Sequence, residues 1–134
     1  MALQYSVNVR NAQLDAVEST TGTAARLQLR TGSPPADCAT AASGTLLMTM
    51  VLPSDWMAAA SSGSKALTGT WIGNAVAAGD VGHFRIYNSG VTTCHVQGTV
   101  TATGGGGDMT IDNITLAINQ GVNVTAFTIS AGNA

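Results

Sequence analysis

The clearest alternation of apolar and polar positions along this chain runs from Gly79 to Val100. It is interrupted at residues 88–90 by Asn-Ser-Gly, which is typical of a turn because Asn and Gly tolerate left-handed backbone conformations. We therefore predict a β-hairpin whose successive side chains alternate between two faces. One face carries Phe84, Ile86, Val96 and Val100, and the other carries Arg85, Tyr87, His95, Gln97 and Thr99. Because a hairpin alone is marginal in water, other strands must cover the apolar face.

Further strand patterns lie on both sides of this hairpin. They cover Ala25–Thr31, Thr45–Leu52, Ala66–Gly73, Asp108–Asn113 and Gly121–Ser130. In the first, Leu27 and Leu29 are expected to face inward and Arg26, Gln28 and Arg30 outward. The second is almost entirely apolar, which predicts a strand covered on both faces. The last changes phase, and a β-bulge near residues 125–126 would bring both of its apolar pairs to the core.

One segment has the periodicity of a helix, from Val9 to Ser19. Its apolar positions recur at about 3.6 residues, through Ala12, Leu14 and Val17, and Gly22 follows as a stop signal. With about seven strands and turn residues between them, the chain predicts a mainly β fold. We expect an antiparallel, jelly-roll-like β-sandwich, forming a single domain over residues 1–134 in which residues 1–22 are an arm and a short helix.

The connections carry their own signals. Pro34 and Pro35 cannot donate hydrogen bonds to a sheet, so residues 32–42 are predicted to form a loop. A loop of this length in a compact domain suggests a contact with another molecule. Residues 54–60 could form one helical turn, and Trp56 is more often a plug for the core than a ligand platform. The run Gly104–Gly107 predicts a flexible hairpin connection, since no Lys-Ser or Lys-Thr follows it as a phosphate loop would require.

Composition narrows the possible functions. The chain has 134 residues, of which 9% are charged, and a net charge of −2. An ordinary domain has about 25% charged residues, so weak charge repulsion suits a surface that becomes covered by a partner. Five dispersed basic residues give no patch for nucleic acid.

The cellular compartment bears on the cysteines. There is no basic start followed by a long apolar stretch, and no run of apolar residues long enough to span a membrane. We therefore expect a protein made in a cytosol. In that reducing setting Cys38 and Cys94 are expected to be two separately packed thiols rather than a disulfide.

Candidate chemistry is sparse. His83 and His95 lie on facing arms of the hairpin, but Cys94 and His95 are adjacent and point to opposite faces, which disfavours a metal site. Asp108 and Asp112 would lie about 13 Å apart along a strand, too far for a glycosidase carboxylate pair. No serine lies in a nucleophile-elbow sequence. We therefore expect no catalysis, no cofactor, no metal and no small-molecule substrate.

Several short sequence elements carry a resemblance to a known family. They are the Pro-Pro loop strand (Leu27–Asp37), Gly-Thr-Leu-Leu (Gly44–Leu47), Gly-Thr-Trp (Gly69–Trp71), Gly-His-Phe-Arg-Ile-Tyr (Gly82–Tyr87) and Asp-Met-Thr-Ile-Asp-Asn (Asp108–Asn113). Taken together, these segments resemble a family of small virion proteins of tailed bacteriophages. The resemblance implies a β-sandwich that decorates or cements the outside of a capsid, bound to a separate major capsid protein, as a homo-dimer or homo-trimer. It implies a place on the virion surface after synthesis in the host cytoplasm. It transfers no functional residues.

The resemblance leads to an expected interface and leaves alternatives open. We expect the N-terminal segment and the Ser33–Ala42 loop to contact the shell or a neighbouring copy. The candidate interface residues are Leu3, Tyr5, Val7, Pro34, Pro35 and Trp56. A tail- or fibre-associated module that binds a glycan or receptor would instead use Trp56, Trp71 and Tyr87 as stacking surfaces. A tail-tube or head-completion subunit is a third interpretation.

Overall fold

The computed structural model describes residues 3–132 and is mainly β with one N-terminal helix, as predicted. Helix α1 spans Val7–Thr21. Within the described residues the strands are β1 Arg26–Arg30, β2 Leu46–Val51, β3 Ser64–Ala66, β4 Ile72–Asn74, β5 Gly79–Asp80, β6 His83–Tyr87, β7 Cys94–Ala102, β8 Met109–Ile111, β9 Thr115–Leu116 and β10 Gly121–Ser130.

Eight of these strands form one sheet, in the order β2-β1-β6-β7-β8-β10-β3, with β4 also paired to β10. The sheet curls, so that the chain around β4, at one end of the sheet, lies beside β2 at the other end. The amide of Val76 donates to the carbonyl of Leu47 at 2.7 Å, and Gly73 lies against Met48 and Met50. Strands β5 and β9 pair separately. Curling of this kind is compatible with the predicted sandwich, and the jelly-roll arrangement stays a prediction.

The core lies inside this curled sheet. Leu27 and Leu29 are fully buried, as predicted, and so are Met109 and Ile111 from the Asp-Met-Thr-Ile segment. A chain of aromatic rings crosses the core, with centroid separations of 5.9, 5.7 and 5.4 Å. Its members are Trp56, Trp71, Phe127 and Phe84. Each such pair contributes about 0.5–1.5 kcal/mol beyond area burial, so these rings tie distant strands together.

The predicted hairpin is confirmed as β6 and β7. Phe84 pairs with Gly98 and Ile86 with Val96, in antiparallel register. Its turn is longer than predicted, because the side chain of Asn88 bonds to the backbone on the far side of the turn. The side-chain carbonyl of Asn88 accepts from the amides of Thr92 and Thr93 at 2.9 and 3.2 Å.

The glycine run is not a flexible hairpin connection, and the sheet is not wholly antiparallel. Strands β7 and β8 pair in parallel, with Val100 opposite Met109. Parallel neighbouring strands are normally joined by a crossover of a dozen or more residues. Here residues 103–108 alone must carry the chain back along β7 before β8 begins. Gly104 and Gly106 make this reversal at positive φ, 86° and 83°. The backbone at Gly105 and Gly107 packs so closely on Thr101 that no side chain fits there.

Helix α1 is longer than predicted because Ser6 caps it. The Ser6 hydroxyl accepts from the amide of Val9 at 3.3 Å, and the helix ends where the amide of Gly22 donates to the carbonyl of Glu18. The predicted apolar stripe is wrong in part: Leu14 is buried, but Val9 and Ala12 are exposed.

Polar side chains hold the helix on the domain instead. Asn11, Asp15 and Glu18 fall on one helix face, and they accept from the amides of Gly63, Ala60 and Met57 at 2.9, 3.0 and 3.0 Å. The backbone of residues 57–63 therefore finds its partners on the helix. Beneath them lies Lys65, buried to 3% exposure. Its ammonium contacts Asp15 at 2.8 Å, Glu18 at 3.0 Å and the carbonyl of Ala58 at 2.9 Å.

Four further predictions are corrected or confirmed by the strands themselves. Strand β2 was predicted to be covered on both faces. Towards its end it is covered on one face, since Thr49 and Val51 are exposed. Residues 54–60 form no helical turn, and the predicted strand Ala66–Gly73 is two short strands, β3 and β4, both paired with β10. The bulge in β10 is confirmed, with the register shift between Val124 and Ala126.

We expect Gly107→Ala to destabilise the fold by about 1–3 kcal/mol, because overpacking a tight site forces backbone shifts. The added methyl would lie 2.8 Å from the backbone nitrogen of Thr101. Gly90→Ala is the matched control, since its methyl would meet nothing closer than 3.7 Å. Urea unfolding of the three proteins measures the difference. Equal midpoints for both variants would contradict the close packing of the glycine run.

Lys65→Met should also destabilise the fold, by about 1–3 kcal/mol at neutral pH, because it removes the cation shared by two carboxylates. The hydrogen bond from Lys65, followed by that from the Ala60 amide, lowers the pKa of Asp15 below its ordinary value of 3.8. A lowered carboxyl pKa gives stability that is present above the unfolded value and is lost as the pH falls through the folded value.

The difference in unfolding free energy between wild type and Lys65→Met should therefore shrink between pH 7 and about pH 3. Asp55→Asn, which changes an exposed carboxylate beside the same helix, should leave stability nearly unchanged throughout. A difference that stays constant with pH would show that the ion pair does not couple to folding.

Candidate interaction surfaces

The second face of the sheet is polar, and its centre is buried. Gln28, Arg85 and Gln97 lie directly opposite one another across β1, β6 and β7, so their side chains share a face. They point away from the apolar core, as predicted, but not to solvent. Gln28 is 7% exposed and Arg85 is 2% exposed. We call this surface, formed by Gln28, Arg30, His83, Arg85 and Gln97, the polar face.

The loop of residues 32–44 covers the polar face. Its prolines and small residues form no ladder of their own, so its carbonyls need other donors. Side chains of the polar face supply these donors. The bonds run from Arg85 to Cys38 and Thr40 at 2.8 and 2.9 Å, from Gln97 to Pro35 at 2.7 Å, from Arg30 to Gly44 at 3.4 Å, and between His83 Nδ1 and Gly32 at 2.9 Å.

Arg85 is the centre of this arrangement. Its Nη1 and Nη2 donate to the two loop carbonyls, its Nε donates to the Cys94 sulfur at 3.3 Å, and its guanidinium lies 5.6 Å from the Tyr87 ring centroid. Burying a charge is unfavourable unless hydrogen bonds replace its water. The rigid fork of Arg meets that need with several acceptors at once, which Lys could not.

The loop also stabilises itself. Asp37 accepts from the amide and the hydroxyl of Thr40, both at 2.8 Å. The Thr40 hydroxyl, followed by the Thr40 amide, lowers the pKa of the Asp37 carboxyl. Pro34 and Pro35 are half-buried, while most of residues 36–43 remain exposed. The predicted interface loop is therefore held from below by the sheet and presents its outer side to solvent.

The described N-terminal segment exposes several apolar side chains. Leu3 is 70% exposed, and Tyr5, Val7 and Val9 are each more than 40% exposed. Residues 3–6 have no helix or strand assignment, and the first turn of α1 follows directly. These residues are placed where the sequence-based prediction of an interface needs them, on the surface.

A second group of exposed apolar residues was not predicted. Val51 at the end of β2, Ile72 in β4 and Val76 after β4 are 60%, 59% and 64% exposed. Their strands belong to the two ends of the sheet that meet as it curls. From sequence, the strand that contains Val51 was expected to be covered on both faces, whereas the structure leaves Val51 exposed at its end.

The aromatic rings considered for binding are buried. Trp56 is fully buried and its Nε1 donates to the carbonyl of Gly22 at 3.2 Å. The prediction that Trp56 belongs to an interface is therefore wrong, and its alternative role as a core plug is confirmed. Trp71 and Tyr87 are also buried, so none of the three offers a face on which a sugar could stack.

The remaining chemical groups are dispersed. An open groove of about 470 Å³ between α1 and residues 54–59 is lined by Asp15, Glu18, Asp55 and Lys65, but the Lys65 ammonium is already bonded to two carboxylates and a carbonyl. In the described part of the chain, no three His, Cys, Asp or Glu side chains could hold a metal ion together. Helix α1, the helix within residues 3–132, is too short to cross a bilayer.

Comparison of the chain with protein-family models, with curated proteins and with solved structures gives no match.

We expect Arg85→Lys to release the 32–44 loop and to destabilise the fold by about 2 kcal/mol or more, because a buried cation and two loop carbonyls lose their paired hydrogen bonds. Amide hydrogen exchange should rise most in residues 33–43. Arg26→Lys makes the same change on the adjacent strand at a half-buried site, and it should cost about 0.5 kcal/mol or less. If both variants exchange alike, Arg85 does not hold the loop.

Proposed function

We propose that this protein is a non-enzymatic structural protein of a tailed-phage virion, which decorates and cements the outer surface of the capsid. In this role it would bind the major capsid protein and neighbouring copies of itself, as a dimer or trimer. The sequence elements that resemble small virion proteins suggested this class, and the exposed surfaces are consistent with it.

The observation that carries the proposal is the exposed apolar N-terminal segment on a weakly charged chain. Leu3, Tyr5, Val7 and Val9 present apolar surface together, and only 9% of all residues are charged. Large exposed apolar surface without charge repulsion favours association rather than a free monomer. A contact repeated at many symmetric positions can be individually modest and still give firm attachment through avidity.

The loop of residues 32–44 supports the same function in a different way. It is ordered by Arg85 and Gln97 before any partner binds, so binding would not have to order it. Preorganisation of this kind lowers the entropy lost on association. Tail-tube and head-completion roles would use the same kinds of surface, and the symmetry of the assembled particle distinguishes them.

The direct test is to mix the purified protein with capsids assembled without it and to image the particles by electron microscopy. We expect extra density at regular positions on the outer surface and better survival of the shell on heating. Bare shells at saturating protein would contradict the cement role.

Substitutions then identify the contact. Replacing Leu3, Tyr5 and Val7 together with Ser should weaken capsid binding about tenfold or more, because apolar anchors carry most of the energy of an interface. Ser6 stays in place, so the helix keeps its cap. Ile118→Ser changes an equally exposed apolar residue elsewhere, 62% exposed, and should bind like wild type. Equal loss in both variants would contradict a specific N-terminal contact.

The loop is tested separately. If the outer side of the loop meets the shell, the double variant Pro34→Ala, Pro35→Ala should bind capsids more weakly in a cosedimentation assay. Cosedimentation of the N-terminal variant measures the other contact. Unchanged binding of the proline variant would remove the loop from the interface.

A further inference from the structure

The sequence led us to expect two separately packed thiols, but Cys38 and Cys94 lie near each other. Both are free thiols and both are half-buried, and Cys38 in the 32–44 loop and Cys94 at the start of β7 lie at the same guanidinium. One guanidinium joins them: Arg85 Nη2 donates to the Cys38 carbonyl at 2.8 Å, and Arg85 Nε donates to the Cys94 sulfur at 3.3 Å. The Cys94 side chain is near enough to act on the Cys38 thiol.

This placement is what a cross-link needs. A disulfide forms without backbone movement when two cysteines face each other at short range. Cys38 and Cys94 belong to segments far apart in the chain, and the loop and the strand are aligned by Arg85 and by the bond from Gln97 to Pro35. Their contact is therefore imposed by the tertiary structure rather than by sequence neighbourhood.

The surroundings also determine which of the two thiols reacts first. Burial, followed by the hydrogen bond to Cys94, raises the pKa of the Cys38 thiol to about 11. A protonated thiol is a poor nucleophile. Formation of the disulfide therefore requires an oxidant that reacts first at Cys94. The mixed disulfide formed there carries the leaving group that Cys38 then displaces.

We propose that Cys38 and Cys94 form a latent disulfide, which stays reduced in a cytosol and closes in an oxidising medium that contains a low-molecular-weight disulfide. The Cys94 thiolate attacks one sulfur of that disulfide and releases one small thiolate. Cys38 then loses its proton and attacks the Cys94 sulfur of the mixed disulfide, releasing the second small thiolate. The two protons given up by the cysteines convert the two leaving groups to thiols, so one disulfide is consumed and one is formed.

The cross-link would fasten the 32–44 loop to β7 covalently. In the reduced protein the loop is held by hydrogen bonds from the polar face, which local opening can break. In the oxidised protein its middle could not leave the sheet. This inference concerns the folded chain itself and does not depend on the proposed function.

The test is to equilibrate the purified protein with glutathione buffers of increasing oxidised fraction, to block remaining thiols with N-ethylmaleimide and to measure the intact mass. We expect a monomer that loses two hydrogen atoms and takes up no maleimide, with a melting temperature about 5–10 °C higher because the cross-link restricts the unfolded chain. Hydrogen exchange should fall in residues 33–43 more than elsewhere.

Cys38→Ser and Cys94→Ser are the matched controls. Cys94→Ser should remain a thiol protein, Cys38→Ser should stop at the glutathione mixed disulfide, and neither should gain thermal stability on oxidation. Wild-type protein that accumulates mixed disulfides, or that forms cross-linked dimers instead of the internal bond, would overturn the proposal. So would an internal bond that leaves exchange in the loop unchanged.

Discussion

The hydrogen bonds of the buried Arg85 guanidinium are the interaction on which the arrangement of this domain depends. A sheet with one apolar face can bury that face by curling, but its other face then needs water or a second cover. Here the cover is a loop rich in proline and small residues, whose carbonyls have no ladder to join. Arg85 supplies donors to two of these carbonyls and to the Cys94 sulfur. The loop and the polar face are therefore stable only together.

The same logic recurs at the N-terminus. Helix α1 docks through Asn11, Asp15 and Glu18, which satisfy the backbone of residues 57–63, while Lys65 neutralises the two acids from below. Polar groups that find every partner can be buried without great loss, and they specify geometry more sharply than apolar contact does. Two of the five basic residues of the chain are thus inside the protein.

This internal use of charge shapes the outer surface. With Lys65 and Arg85 buried, the exterior keeps few cations, and apolar residues are exposed at the N-terminal segment and where β2 meets β4. Such a surface does little to repel another protein. The conformational entropy of the loop has already been lost in the folded chain, which favours binding by preformed surfaces rather than by folding on contact.

Local alternation or repetition of side chains was enough to predict several elements: the β6–β7 hairpin, the inward Leu27 and Leu29, the bulge in β10 and the helix near the N-terminus. The burial of Arg85, the parallel pairing of β7 with β8 and the meeting of Cys38 and Cys94 at one guanidinium emerge only in the folded chain. The physical reason is that periodicity reports which face a side chain occupies, whereas burial and partners depend on which distant segment covers that face.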